Sequence, residues 1–202
     1  MKVVIVDYGM GNIYSIQSAL KYLGYDSEYT DQPAKILRAD KLILPGVGSY
    51  KKAMKRIVAK GLDDTLKEAI RGAGTPVLGI CLGMQLLGKS STEDGKTLGL
   101  GLFDGVVEMF DVPHDLKIPH IGYNEVQIQK ETRLFRGLKS VSDFYFIHSF
   151  RMTANSMDVH SVCTYGEKFV AAFESDNIYG THFHPEKSQS NGLFVLNNYL
   201  GV

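Results

Sequence analysis

Cys81 has the sequence surroundings of a catalytic nucleophile. It is the central residue of Gly79-Ile80-Cys81-Leu82-Gly83 and directly follows Thr75–Ile80, an apolar segment that predicts a buried strand. A G-x-nucleophile-x-G pattern at a strand-to-helix turn holds its central residue in a strained conformation, and flanking glycines leave room for the bend. The thiol would then lie at a helix N-terminus, which favours the reactive thiolate. A structural cysteine packed between two glycines would show the same pentapeptide.

A histidine and a glutamate two residues apart supply the proton chemistry that a cysteine nucleophile needs. His184-Pro185-Glu186 follows the predicted strand Tyr179–Phe183. Side chains at positions i and i+2 of an extended segment point the same way, so Glu186 can reach the imidazole of His184. A carboxylate on one ring nitrogen fixes the tautomer and leaves the other nitrogen free to exchange a proton with the thiol. Cys81, His184 and Glu186 are therefore the predicted catalytic residues.

The same segment also permits a metal site. His182, His184 and Glu186 stand at alternate positions, and three ligands on one strand face are a plausible coordination set. The metal content of purified protein would separate this interpretation from the catalytic one, under which we expect neither a metal nor a cofactor.

A glycine-rich turn is the candidate for stabilising a negative charge. Pro45-Gly46-Val47-Gly48 follows the apolar segment Lys41–Leu44, and such turns offer backbone N–H groups to anions. A tetrahedral intermediate on a cysteine needs two donors, and the amides of Val47 and Leu82 are the candidates for this oxyanion hole. A tight turn without a binding function remains the alternative.

Strand-like and helix-like segments alternate in the first half of the chain, which predicts a parallel sheet with helices on both faces. The predicted elements are a strand at Lys2–Asp7, a helix capped by Asn12 and ended by Gly24, a strand at Lys41–Leu44, a helical stretch over Tyr50–Ala73 broken near Gly61, and a strand at Thr75–Ile80.

The second half is richer in predicted strands, which indicates a more antiparallel extension of the same sheet. These strands are Gly105–Phe110, Glu125–Gln129, Asp143–Phe150, Met157–Thr164, Lys168–Glu174 and Tyr179–His184, and a last helix is predicted at Gln189–Leu200. We expect one α/β domain over residues 1–202.

Composition restricts the classes of function. The 202 residues include 22 Lys plus Arg and 22 Asp plus Glu, so a nucleic acid or anionic membrane partner is not expected. No apolar stretch has the length of a membrane span, and Lys2–Val6 is too short for a signal peptide. Two cysteines, Cys81 and Cys163, without a secretion signal indicate a reducing compartment. We therefore expect a soluble, cytoplasmic protein in which Cys163 is a buried strand residue.

Taken together, the motifs resemble the class I glutamine amidotransferases, and more narrowly the glutaminase subunits of imidazole glycerol phosphate synthase. The matching segments span nearly the whole chain in the order of that family. They are Asp7-Tyr8-Gly9-Met10-Gly11-Asn12, Pro45-Gly46-Val47-Gly48, Gly79-Ile80-Cys81-Leu82-Gly83-Met84-Gln85, Pro119-His120-Ile121-Gly122-Tyr123-Asn124 and Phe183-His184-Pro185-Glu186-Lys187-Ser188. The resemblance implies a flavodoxin-like amidotransferase fold.

The resemblance also implies a reaction. Cys81 would attack the side-chain amide of glutamine, release ammonia and leave a glutamyl thioester, with His184 acting first as acid and then as base. Glu93 would suit the ammonium group of glutamine, although a solvated loop charge is its alternative. The residues implied to bind glutamine are Gly46, Gly48, Gln85, Glu93, His148 and Ser149.

Ammonia released into neutral water is mostly protonated and no longer nucleophilic, so transfer inside a complex makes chemical sense. The resemblance implies a heterodimer with a HisF-like cyclase barrel subunit that receives the ammonia for histidine biosynthesis. Asn12, Pro119, His120 and Tyr123 are implied to face that subunit.

Two positions depart from the family pattern. Tyr123 stands where a tryptophan is usual, and His182 stands where a glutamine is usual, two residues before the catalytic histidine. Since Tyr123 lies in the segment implied to face the partner, a paralogue that feeds ammonia to surface-sugar synthesis is one alternative. A non-catalytic or metal-binding subunit that keeps the fold is another, and labelling of Cys81 by a glutamine-like electrophile would exclude the non-catalytic case.

Overall fold

The protein is described by a computed structural model covering residues 1–114, 116–130, 132–154 and 159–202. The strands are β1 (Val3–Val6), β2 (Ser27–Thr30), β3 (Lys41–Leu44), β4 (Val77–Ile80), β5 (Ser90–Ser91), β6 (Thr97–Leu98), β7 (Val106–Met109), β8 (His120–Ile128), β9 (Val141–His148), β10 (Phe150–Thr153), β11 (Val159–Tyr165), β12 (Glu167–Ser175) and β13 (Ile178–Thr181).

The helices connect the parallel strands and close the chain. They are α1 (Ile13–Tyr22), α2 (Pro33–Ile36), α3 (Tyr50–Ala59), α4 (Leu62–Lys67), α5 (Leu82–Leu87) and α6 (Gln189–Leu200), with a π-helical segment at Glu68–Gly72 and a 3-10 turn at Pro185–Lys187. The break near Gly61 is confirmed, because Gly61 adopts a left-handed conformation between α3 and α4.

One nine-stranded sheet runs through the molecule in the order β2-β1-β3-β4-β13-β12-β11-β8-β9. The first five strands are mutually parallel, and the other four continue the sheet in antiparallel fashion. The α/β class, the parallel half and the antiparallel extension are therefore confirmed. A smaller four-stranded sheet, β10-β7-β5-β6, packs beside it and was not predicted, since two of its strands have only two residues.

Burial on both sides of the parallel strands explains their continuous apolar sequences. Val3 and Ile5 of β1 pack into the core on one face of the sheet, while Val4 and Val6 pack into the core on the other. On the outside of α1, Tyr14 is exposed, whereas Ile13 and the other residues at helical spacing are buried. Each core therefore receives alternate side chains of the sheet and one apolar face of the helices.

The predicted start of α1 is confirmed, because Asn12 occupies the N-cap position, although its side chain makes no capping hydrogen bond. Other predicted boundaries are wrong. The predicted strand Asp143–Phe150 is two strands, β9 and β10, which separate at Ser149 and enter different sheets. The predicted strand Tyr179–His184 ends at Thr181.

Other elements escaped prediction or extend further than expected. Ser27–Thr30 is an edge strand with one fully buried residue, so it carries no apolar run, and the short helix Pro33–Ile36 was likewise not predicted. The strand predicted at Glu125–Gln129 begins earlier, at His120. The start of the predicted strand Met157–Thr164 lies outside the described residues.

Tyr199 attaches the last helix to the parallel strands. Its side chain is fully buried, and its hydroxyl oxygen lies 2.6 Å from the carbonyl oxygen of Leu42 and 2.9 Å from that of Pro76. These carbonyls adjoin β3 and β4, so α6 is held against the strands that lead into the predicted catalytic segments.

Replacement of Tyr199 by phenylalanine should lower the free energy of unfolding by about 1–2 kcal/mol, because the buried hydrogen bond that the hydroxyl proton makes with these backbone carbonyls is lost. Urea denaturation measures the change. Tyr22→Phe, at a tyrosine that is 78% exposed on α1, is the matched control and should change stability by less than about 0.5 kcal/mol. Equal stabilities of the two variants would contradict this function of the Tyr199 hydroxyl.

Candidate active site

Cys81 occupies the strained turn that its flanking glycines predict. Its backbone dihedral angles are φ 54° and ψ −109°, and it lies between the end of β4 and the first residue of α5. The Cys81 N–H donates a 2.8 Å hydrogen bond to the Thr181 carbonyl at the end of β13. A conformation so rarely adopted by a non-glycine residue is typical of a nucleophile presented at the end of a sheet.

Both glycines of the pentapeptide are required by close packing. A Cβ atom on Gly79 would come within 2.7 Å of the backbone of Met84, inside the first turns of α5. A Cβ atom on Gly83 would overlap the carbonyl group of Leu44, the last residue of β3. The elbow therefore lies directly against the start of the glycine-rich turn Pro45–Gly48.

His184 and Glu186 form the predicted hydrogen-bonded pair, although for a different local reason. His184 Nδ1 and Glu186 Oε1 are 2.8 Å apart, and both side chains are buried. Glu186 lies in the 3-10 turn Pro185–Lys187, not in an extended segment, so the turn curls the carboxylate back onto the ring. Two further contacts hold the backbone of His184. The backbone N–H donates to the Tyr145 carbonyl at 2.9 Å, and the Ser188 hydroxyl donates to the His184 carbonyl at 2.6 Å.

Opposing effects set the charge of His184. Burial disfavours the imidazolium, but the nearby Cys81 and the hydrogen bond that His184 donates to Glu186 outweigh burial and raise the pKa of His184 to about 10. Because the Glu186 carboxylate accepts from Nδ1, Nε2 is the nitrogen that can exchange a proton with the thiol. Nε2 is buried and has no hydrogen-bond partner among the described residues.

The thiol opens into a cavity of about 450 Å³ that collects most of the predicted site residues. Its lining consists of Val47, Gly48, Ser49, Cys81, Leu82, Gln85, Glu93, Pro119, Ile147, His148, Ser149 and Phe150. Cys81 Sγ lies 3.8 Å from the carbonyl oxygen of Ile147, on the cavity wall. Gly46 is buried behind the wall, under Tyr8 and Leu82, where a Cβ atom would come within 2.7 Å of the Leu82 side chain.

Two backbone amides beside the thiol are available as donors. Leu82 is the first residue of α5, so its N–H has no intrahelical acceptor. Val47 lies in the turn with 40% of its surface exposed, and none of the described residues accepts a hydrogen bond from its N–H. Tyr8 fixes the start of this turn, since its buried hydroxyl donates to the Pro45 carbonyl at 2.6 Å.

Gln85 and Glu93 both line the cavity, and backbone groups hold each of them. The Gln85 amide nitrogen donates to the Phe150 carbonyl at 3.1 Å and lies 3.0 Å from Nε2 of His182. One carboxylate oxygen of Glu93 accepts from the Tyr50 N–H at 2.9 Å, at the start of α3. Glu93 is thus fixed at the cavity by a defined contact, which a freely solvated loop carboxylate would lack.

His148 begins a chain of neutral histidines that leads away from the cavity. His148 Nδ1 donates to the Phe150 carbonyl at 2.8 Å, and its Nε2 lies 3.0 Å from His120 Nδ1. Burial lowers the pKa of His120 to about 4 and the pKa of His148 well below its usual range. Asn124 completes the chain, with its amide nitrogen 3.3 Å from His120 Nε2.

The four residues predicted to face a partner differ in exposure. Pro119 and Tyr123 are exposed and Asn12 is half-buried. His120 is only 3% exposed, because β8 alternates its side chains and directs this one towards His148. Its side chain is therefore part of the interior, and the exposed residue next to it is Ile121.

The alternative of a metal site on His182, His184 and Glu186 finds no support. The nitrogens of His182 lie against Gln85 and the Val170 carbonyl, whereas His184 faces Glu186. Within residues 1–114, 116–130, 132–154 and 159–202, no three His, Cys, Asp or Glu side chains are grouped as metal ligands would be.

Three contributors to the site were not predicted from the sequence: the Tyr8 side chain and the carbonyl groups of Ile147 and Phe150. Tyr8 lies in the family-like segment Asp7–Asn12, but a tyrosine after a strand carries no signal that it will support a distant turn. The carbonyl groups of Ile147 and Phe150 act through the backbone, so their residue types reveal nothing. Only the break between β9 and β10 brings both of them to the cavity.

Comparisons with known proteins define the class. Residues 4–200 match the family model described as glutamine amidotransferase class-I. Among solved structures, a glutamine amidotransferase aligns with 98% of this chain and 99% of its own length at a TM-score of 0.76 and 19% identity. PurLQS from Thermotoga maritima aligns with 99% and 97% at a TM-score of 0.74 and 18% identity, which shows the same fold. The chain belongs to the class I glutamine amidotransferases.

Curated relatives narrow the family further. The chain is 43% identical over 198 residues to imidazole glycerol phosphate synthase subunit HisH 1 of Campylobacter jejuni (strain RM1221), covering 98% of both chains. It is also 43% identical over 198 residues to subunit HisH of Moorella thermoacetica, covering 98% of this chain and 93% of that one. Within the class, the chain is a member of the HisH family of imidazole glycerol phosphate synthase subunits.

Replacement of Gly83 by alanine should destabilise the protein by about 3 kcal/mol and slow alkylation of Cys81 by iodoacetamide, because the new methyl group pushes α5 away from Leu44. Urea denaturation and peptide mass spectrometry provide the two measurements. Burial raises the pKa of Cys163 to about 12, so labelling reports on Cys81.

Gly72→Ala is the matched control for Gly83→Ala. A Cβ atom there meets nothing closer than Glu68 Cγ at 3.8 Å, and stability should be unchanged or slightly increased. Wild-type stability and labelling in Gly83→Ala would show that the elbow does not need this glycine.

Proposed function

We propose that this protein is the glutaminase subunit of an imidazole glycerol phosphate synthase and that it works through Cys81, His184 and Glu186. The observation that carries the proposal is a nucleophile elbow whose thiol lines a cavity of amino-acid size and interacts with the imidazole of a buried His–Glu pair, although the pair itself does not line that cavity. The family membership reported above supports the same reaction.

The first step forms a thioester. The Cys81 sulfur attacks the side-chain carbonyl carbon of glutamine, and the carbonyl oxygen becomes an oxyanion beside the Val47 and Leu82 amides. When the tetrahedral intermediate collapses, the C–N bond breaks and the imidazolium of His184 gives its Nε2 proton to the leaving ammonia. The pKa of His184, raised to about 10, keeps that proton available at neutral pH.

The second step returns the enzyme to its starting state. Water adds to the thioester carbon while neutral His184 takes a proton from it at Nε2. The second tetrahedral intermediate then expels the Cys81 thiolate and releases glutamate. Throughout both steps Glu186 accepts a hydrogen bond from Nδ1, which keeps the ring orientation and stabilises the imidazolium when it forms.

The cavity walls provide groups of suitable charge for free glutamine. Glu93 offers a carboxylate to the substrate ammonium, and Gln85, His148 and Ser149 offer further polar groups in the same cavity. Gly46 and Gly48 flank the Val47 donor: Gly46 allows the turn to pack against Leu82, and Gly48, at the cavity, leaves room for the substrate to approach the backbone.

The ammonia acceptor is a cyclase barrel subunit of the HisF type, bound as a heterodimer. The exposed side chains of Ile121 and Tyr123 lie on one face of β8 and, with Pro119 at the cavity rim, form an apolar surface near the thiol. Ile147 lines the cavity and pairs with Ile121 across the sheet, so this surface continues from the site itself.

The protein is located in the cytoplasm, a reducing compartment in which the two buried cysteines stay free. Within the described residues no helix is long and apolar enough to cross a membrane.

Replacement of Cys81 by serine should reduce glutamine hydrolysis by the complex below about 1% of the wild-type rate, since a hydroxyl is a far weaker nucleophile than a thiolate. Synthesis driven by added ammonium salt should survive, because the acceptor subunit needs only ammonia. Both rates are measured on the complex purified with its native partner. Cys163→Ser is the matched control and should retain both activities.

Residual hydrolysis of several per cent in Cys81→Ser would exclude Cys81 as the nucleophile. Failure of ammonium to restore synthesis would show that the subunit does more than supply ammonia. A co-purifying partner from surface-sugar synthesis would replace the histidine pathway as the destination.

Replacement of Glu186 by glutamine should move the alkaline limit of glutamine turnover to lower pH. In the wild type, turnover falls as pH rises through about 10, where His184 loses the proton needed by the leaving ammonia. Loss of the carboxylate lowers the pKa of His184, so the fall begins earlier. The pH dependence of the rate, with folding checked by circular dichroism, measures the shift.

His184→Ala should cost more activity than Glu186→Gln at neutral pH, because the carboxylate orients the ring but moves no proton. Glu125→Gln, at an exposed residue of β8, is the control with an unchanged profile. An unaltered alkaline limit in Glu186→Gln would contradict this division of functions.

A further inference from the structure

His182 lies behind the wall of the substrate cavity, where it makes a polar contact with Gln85 and its ring packs against His148, with ring centroids 4.2 Å apart. Its ring is fully buried between β12 and the cavity wall, and it follows directly after the end of β13. His182 Nδ1 lies 3.2 Å from the Val170 carbonyl oxygen, and Nε2 lies 3.0 Å from the side-chain nitrogen of Gln85. Neither the reaction steps above nor the catalytic pair uses this histidine.

The contacts of His182 determine which of its nitrogens carries the proton. A backbone carbonyl can only accept, so the Nδ1 atom beside Val170 is the protonated nitrogen. Burial lowers the pKa of His182 to about 4, which keeps the ring neutral at neutral pH. In a neutral ring with a proton on Nδ1, Nε2 is an acceptor and nothing else.

The same reasoning fixes the orientation of the Gln85 amide. The Phe150 carbonyl, 3.1 Å from the amide nitrogen, can only accept, and so can Nε2 of His182. An amide NH₂ group has two protons, and these two acceptors take both. A flipped amide would place its oxygen against two acceptors, which is electrostatically unfavourable. None of the described residues donates to the Gln85 oxygen.

We propose that His182 is a positioning residue that holds the Gln85 amide in one orientation, with its carbonyl oxygen turned to the cavity as an acceptor for an N–H group of glutamine. This inference rests on glutamine being the substrate. The acceptor lies in the same cavity as the Glu93 carboxylate, so the two together select a substrate that carries N–H donors, such as the ammonium or side-chain amide of an amino acid.

Two substitutions of similar size separate this function from simple packing. His182→Gln keeps one donor for Val170 and one acceptor for Gln85, whereas His182→Leu keeps the volume but has neither group. With the partner subunit bound, His182→Leu should raise the KM for glutamine roughly tenfold, the effect of one lost hydrogen bond, and change kcat by less than about twofold. His182→Gln should stay within about twofold of the wild type in both constants.

A second measurement reads the amide directly and does not depend on turnover. The side-chain NH₂ signals of Gln85 are recorded in nitrogen-15 spectra of the free subunit and are assigned by their loss in Gln85→Met. These signals should show two hydrogen-bonded protons in the wild type and in His182→Gln. One of those protons should lose its hydrogen-bond shift in His182→Leu. Labelling of Cys81 by iodoacetamide should be equal in all three proteins, because that small electrophile does not need Gln85.

An unchanged KM or an unchanged Gln85 signal in a folded His182→Leu would overturn the proposal. Equal losses in His182→Leu and His182→Gln would assign the residue to packing. Absence of glutamine hydrolysis in the wild-type complex would instead refute the glutaminase function, and the Gln85 spectrum would still report whether His182 orients the amide.

Discussion

The contact between Gly83 and the carbonyl group of Leu44 is the constraint on which the site depends. It brings the first turn of α5 against the end of β3, where even a methyl group would overlap the backbone. Cys81 is thereby held in its strained turn, and the Leu82 amide comes to lie beside the turn that carries Val47. Two glycine-containing motifs 35 residues apart in sequence become one site because neighbouring parallel strands end at the same edge of the sheet.

Burial alone would leave all four buried histidines of the site region neutral. Of His120, His148, His182 and His184, only His184 has neighbours that favour its charged form. It has Cys81 and Glu186 as neighbours, which raise its pKa to about 10, while burial lowers those of His120 and His182 to about 4. The difference gives the rings different functions. The charged ring can transfer a proton, whereas each neutral ring has one donor and one acceptor and can impose a direction on its hydrogen bonds.

These directional hydrogen bonds connect the exposed edge of the sheet with the cavity. The chain from Asn124 through His120 and His148 ends on the Phe150 carbonyl, which also accepts from Gln85. Phe150 opens β10, directly after the break in the strand at Ser149. The backbone of this break therefore anchors the side chains of Gln85 and His148, and it belongs to both sheets through its two flanking strands.

The sequence by itself determined the class of fold, and it predicted Cys81 as nucleophile and His184 with Glu186 as catalytic pair, because each of these signals is encoded locally. An apolar run before a glycine-flanked cysteine specifies a buried strand and a sharp turn, and His-x-Glu spacing keeps the two side chains within reach. The sequence also predicted most of the cavity lining, since those residues lie in family-like motifs or, as with Glu93, His148 and Ser149, match positions that the resemblance implies. The reason for the His184–Glu186 contact was wrong, because a tight turn, not an extended segment, brings the two side chains together.

Only the tertiary structure decided the contacts between groups that are distant in sequence or that act through the backbone, where the residue type predicts nothing. Three features depend on which elements pack together: the break of one predicted strand into β9 and β10, the burial of His120, and the hydrogen bond from Tyr8 to Pro45. The charges of the histidines and the orientation of Gln85 likewise follow from their neighbours. Hydrogen bonding and desolvation act over a few ångströms in space, and chain order does not record those distances.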